Sequence, residues 1–72
     1  MTIEGTVVYM ELEGGFWALL ANDGRRFVPV HPLPASLREQ GKRVIALLAP
    51  VQVLSSIQWG EHVDIEHIEA AN

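Results

Sequence analysis

Three histidines and nine carboxylates are the side chains here best suited to proton transfer or cation binding, because the 72-residue chain has no cysteine. The densest cluster is His62, Asp64, Glu66 and His67. On a strand His62, Asp64 and Glu66 project from one face. Neighbours on such a face stand about 7 Å apart, too far for three to meet at one ion without a distant residue such as His31. The cluster therefore reads as the solvated face of a strand, and no metal is expected. Nucleophile chemistry has less support. Ser36, Ser55 and Ser56 are the serines, and none lies in a Gly-x-Ser-x-Gly elbow. Gly14-Gly15 leads into a strand, not into a helix N-terminus, so it is no phosphate loop. A small barrel filled by its own side chains leaves no enclosed pocket. No catalytic residue and no cofactor are expected, and the protein reads as a non-enzyme.

Binding chemistry rests on the cations and aromatics. Arg25, Arg26, Lys42 and Arg43 form a candidate basic patch, and the fifth cation is Arg38. Net charge is −4, the wrong sign for a phosphate backbone. Of Tyr9, Phe16, Trp17, Phe27 and Trp59, only Phe27 neighbours arginines in sequence, whereas single-strand binding needs aromatics interleaved with basic residues. Trp17 and Trp59 read as core residues. Basic residues sit mid-chain and most acids near the ends, so pairing of the end strands would polarise the surface.

The elements that must position these groups are mostly strands. Thr2 to Leu12 reads as a first strand rich in β-formers, with Gly5 marking a bulge or a sharp coil. Gly14-Gly15 and Asn22-Asp23-Gly24 bracket a second strand, Phe16 to Ala21; the Asp-Gly pair suggests a primed hairpin turn into a third, Arg25 to Val30, and Gly14-Gly15 supplies positive φ in the same way at the other end. His31-Pro32-Leu33-Pro34 ends the pairing. A short helix over 35–40 follows, stopped by Gly41, with Leu33 and Leu37 plugging one barrel end. Lys42 to Ala49 is the fourth strand, ended by Pro50. The closing strand starts near Ser55 and runs to Ile68, with Val63 and Ile65 inward and either fraying or a bulge near His67, where Ile68 breaks the alternation. Glu69 to Asn72 reads as a loose tail. Three strands, a short helix and two strands predict one all-β domain over 1–72, a five-stranded OB-like barrel, with an SH3-like barrel as the alternative. The longest apolar run is too short for a membrane helix, and no basic start leads into an apolar stretch, so a cytoplasmic protein is expected.

The pattern Gly15-Phe16-Trp17, Asp23-Gly24, Pro29, Leu33-Pro34, Leu37, Gly41, Val44 and Ser56-Ile57-Gln58-Trp59-Gly60 resembles that of a group of small uncharacterised prokaryotic β-barrel proteins. The resemblance spans nearly the whole chain. It rests on turns and barrel aromatics, so it implies an OB-like fold and transfers no activity. Two features depart from the pattern: His31-Pro32 stands in place of a plain polar loop, and the fourth strand is more apolar.

That apolar strand supports a functional expectation. A strand on a small barrel alternates between core and water, yet Val44, Ala46 and Leu48 are apolar and so are Ile45, Leu47 and Ala49. Val44, Ile45, Leu47, Leu48, Val51 and Val53 form the candidate interaction surface. The expectation is a non-enzymatic module acting through self-association, as a homodimer, or through protein contacts. A single-stranded nucleic-acid or small-ligand binder is the alternative.

Overall fold

The computed structural model describes residues 1–71. Five strands, β1 (Thr2–Met10), β2 (Phe16–Ala21), β3 (Arg26–Pro29), β4 (Arg43–Pro50) and β5 (Glu61–Ala70), close into one barrel in the order β1-β2-β3-β5-β4. A single 3₁₀ turn, Ala35–Leu37, lies between β3 and β4. The all-β barrel with a short helical turn at that place is the architecture the sequence predicts. Antiparallel hairpins join β1 to β2 and β2 to β3, but β3 runs parallel to β5. A five-stranded meander would close β1 on β5; here the β3–β4 crossover sets β5 beside β3 and β4 beside β1, which gives the barrel a Greek-key element.

Period-2 alternation fills the interior. Ile3 and Val7 of β1, Leu19 of β2, Phe27 of β3, Val44, Ala46 and Leu48 of β4 and Val63 of β5 form one buried cluster. Leu33 and Leu37, flanking and ending the 3₁₀ turn, are buried in the same cluster. Each buried valine, leucine, isoleucine or phenylalanine here contributes about 1.5–3 kcal/mol by leaving water. In β5 the alternation slips once. Leu47 pairs with His67 and Leu48 with Ile65, leaving Glu66 as the extra residue of a bulge. The slip lets Ile65 before it and Ile68 after it both pack against the core.

Several boundaries differ from expectation. β1 ends at Met10, and the helix over 35–40 is a 3₁₀ turn of three residues. Residues Ser55 to Gly60 form part of the β4–β5 connection, because β5 starts only at Glu61. The tail is largely strand: Glu69 pairs with Ile45, Ala70 with Val44, and Ala71 N–H donates to the Arg43 carbonyl. Asn72 lies outside the described residues. The end strands do not pair with each other; β4 stands between them.

Positive-φ glycines stand at both turns, as expected, but the two turns differ in type. The primed pattern lies at the β1–β2 turn, where Glu13 and Gly14 have φ of 49° and 88° and Gly15 N–H donates to the Leu12 carbonyl. At the β2–β3 turn only Gly24 has positive φ, 93°. Gly24 N–H donates to Ala21 and Ala21 N–H to Arg25, a three-residue loop with glycine in the left-handed position. Asp23 accepts from the Arg25 backbone N–H at 3.1 Å and from Arg25 Nε at 2.7 Å, which holds its carboxyl below the usual value. Gly24→Val is expected to cost about 1–3 kcal/mol, because a β-branched side chain resists positive φ. A thermal melt reads this as a lower midpoint; an unchanged one would refute the turn assignment.

Candidate interaction surfaces

The two faces of β4 separate by the pleat. Val44 and Leu48 are 1% and 0% exposed and belong to the core, so they leave the interaction surface expected from sequence. Ile45 and Ala49 are half-buried on the outer face, and Leu47 between them is 40% exposed. This stripe is one strand wide. Leu47 lies between Thr2 and His67, and Ile45 between Glu4 and Glu69, while Asp64 stands beside Ala49. β4 continues through Pro50 into the β4–β5 connection, where Val51 is half-buried, Val53 is exposed and Leu54 is fully exposed. Leu54 ends the apolar run from Val44 but is not among the six residues expected at the surface.

The candidate basic patch does not assemble. Arg25 pairs with Asp23 and lies 5.5 Å from the Phe27 ring. Arg26, on the opposite side of the strand, lies 5.4 Å from the Trp59 ring. Lys42 stands 3.9 Å from Glu39, and Arg43 is on β4, which does not neighbour β3. The aromatics also depart from expectation. Trp17 is half-buried against the core, but Trp59 stands outside that cluster and meets Phe16 edge-on at 6.4 Å. Arg26 over Trp59 is therefore a second cation–aromatic contact that sequence adjacency does not show.

A groove of about 410 Å³ opens where β2 begins and β3 ends, lined by Phe16, Trp17, Pro29, Val30, His31, Pro32, Leu33 and Arg38. Tyr9, the cross-strand partner of Trp17, meets its indole edge-on at 5.0 Å and so limits its orientation. Arg38 Nε donates to the Leu33 carbonyl at 2.8 Å. Sequence spacing does not announce this groove, although His31 and Pro32 lie in its lining.

The β4–β5 connection covers part of the outer surface. Val28 is buried although it points away from the barrel interior. His62 shares a depression with Val28, Val53 and Ile57, and its carbonyl accepts from Val51 N–H. Its Nε2 is buried with no hydrogen-bond partner among the described residues. His62 is thus half-buried with Nε2 shielded, not fully solvated as its alternation with Asp64 and Glu66 suggested. Ser56 Oγ reaches Glu13 Oε2 at 3.2 Å, joining this connection to the β1–β2 turn. Among the described residues no three histidines or carboxylates converge as a cation site. No helix is long and apolar enough to cross a membrane. Comparison with protein-family models, with curated proteins and with solved structures gives no match.

Proposed function

We propose that this small β-barrel is a non-enzymatic module that acts by contact, pairing with a second copy of itself through the outer face of β4 and the start of the β4–β5 connection. One observation carries the reading: the apolar run Ile45, Leu47, Ala49 passes along the chain into Val53 and Leu54, with Leu47 and both loop residues exposed. A two-fold partner would cover the same apolar line on each copy. The surface is narrower than the sequence suggests, because two of the six expected residues, Val44 and Leu48, fill the core. Its flanks carry the acids Glu4, Asp64 and Glu69, and the exposed cation Arg43 precedes Ile45 on the same face. Membership of the small prokaryotic barrel group and a cytoplasmic setting belong to the same proposal; turn glycines and barrel aromatics support the first.

Light scattering on a sizing column at about 50 μM, a concentration at which weak dimers populate, is expected to give twice the single-chain mass. A single-chain mass at every concentration and salt would refute the dimer. Leu47→Glu is expected to yield a folded monomer, since the residue is on the outer face. A second reading, a single-strand or small-ligand binder, draws support from the half-buried Trp17 beside Arg38.

A further inference from the structure

The groove at the start of β2 shares no residue with the outer face of β4. We propose that it is a docking site for an extended, proline-containing peptide segment with an adjacent carboxylate. Its floor and walls are aromatic and prolyl: Trp17, Phe16, Pro29 and Pro32. Flat rings beside proline faces suit a polyproline-type segment, which arrives already extended and loses little entropy on docking. The rim supplies charge. Arg38 is anchored through Nε to the Leu33 carbonyl, while its terminal amino groups have no protein acceptor among the described residues. An anchored guanidinium with two free amino groups is arranged for a carboxylate. His31, beside it, adds ring nitrogens able to hydrogen-bond.

The charge pattern selects the occupant. The chain carries net charge −4, yet no carboxylate lines this groove. It is a locally basic apolar surface on an acidic domain, which attracts an acidic group and repels a basic one. A nucleic-acid strand would bring a charge at every nucleotide to a groove with one free guanidinium, against the overall field. A peptide with one or two carboxylates beside an apolar anchor matches the single cation.

The test is a titration of ¹⁵N-labelled protein, followed by NMR, with a panel of blocked peptides. Each places proline one to four residues before a glutamate pair; a matched panel carries lysines in place of glutamates, and an oligothymidylate is the nucleic-acid probe. At least one acidic peptide is expected to saturate, with shifts centred on the Trp17 indole N–H, Val30 and Leu33. Its lysine counterpart is expected to bind at least about tenfold more weakly, as loss of a charge-assisted pair implies. Arg38→Glu is expected to reverse that preference. The position is exposed, and a preserved spectrum elsewhere would show that the barrel remains folded. Four results would each overturn the proposal: no saturation by any peptide, equal binding of acidic and lysine peptides, an unchanged preference in a folded Arg38→Glu protein, or tighter binding of the oligonucleotide. The readout is independent of oligomeric state, so failure here and failure of the dimer are separable.

Discussion

Leu48→Glu is expected to leave no folded barrel at room temperature, while Leu47→Glu, one residue earlier, leaves the fold intact. Leu48 has no exposed surface and packs with Val7, Leu19 and Val63 in one cluster. Two costs combine at this position. Removing the leucine forfeits its burial and leaves poorly filled space, about 2–5 kcal/mol for comparable core truncations. A carboxylate placed there has no buried cation to meet, since no charged or polar residue is buried among the described residues. Desolvating it unpaired costs several kcal/mol more, or forces it to take up a proton. A domain of this size has about 5 kcal/mol of stability to lose. Circular dichroism and proton NMR dispersion would read the outcome directly. A folded Leu48→Glu protein with native dispersion would show that β4 is turned the other way.

The same strand shows what the sequence could reveal. Val44 to Ala49 is apolar on both parities, so alternation could not choose the inward set. The choice follows from pairing: Ile3 opposite Ala46 and Gly5 opposite Val44 on β1, and Ile68 opposite Ala46 on β5, are inward partners. Strand existence, the order of elements and the Leu33–Leu37 plug were legible because each rests on local signals: β-branched runs, glycine and proline punctuation, and the spacing of two leucines. An irregularity near His67 was legible for the same reason, since Ile68 broke the period; that it is a bulge at Glu66 and not fraying shows only in the pairing. The β5 start was not. Ser55 to Gly60 contains Ile57 and Trp59, whose hydrophobicity reads as strand, yet Ile57 lines an outer depression with Val28 from a connection and Trp59 meets Phe16 and Arg26. Apolar residues that cover the outside of a barrel look in sequence like residues that fill it.

The candidate surfaces fared differently because they depend on contacts distant in sequence. Arg25 and Arg26 are adjacent, but the pleat sends one toward Phe27 and the other toward Trp59, so two cations became two separate aromatic contacts. The groove joins Phe16 and Trp17 to Pro32 and Arg38 only because β2 and β3 pair and the chain then crosses the barrel end. No spacing in the sequence encodes that junction. What was visible locally was an unexplained His31-Pro32.

Gly5→Val is the second large expected effect, and it tests how β1 serves two neighbours. Gly5 and Thr6 are the positions at which β1 pairs on both sides at once: Gly5 faces Ala21 on β2 and Val44 on β4. The ladder registers run through this point without a shift, so the glycine permits a coil of the strand and not a bulge. Its role is steric. A Cβ built there would press on the Leu20 carbonyl oxygen and lie 2.9 Å from the Ala21 Cα, both backbone atoms that cannot rotate away. Relief requires β1 and β2 to separate, which lengthens hydrogen bonds in the β1–β2 ladder and opens the core beneath Val7 and Leu19. The expected cost of Gly5→Val is about 3 kcal/mol or more, at the upper end of overpacking effects. Gly24→Ala provides the comparison, because a Cβ there meets nothing and only the positive φ is penalised, by about 1 kcal/mol. Urea unfolding of the two variants should separate them clearly, with a much lower midpoint for Gly5→Val and a similar slope if both unfold in two states. Equal midpoints would mean that β1 and β2 do not approach this closely, and the pairing on both sides of Gly5 would have to be redrawn.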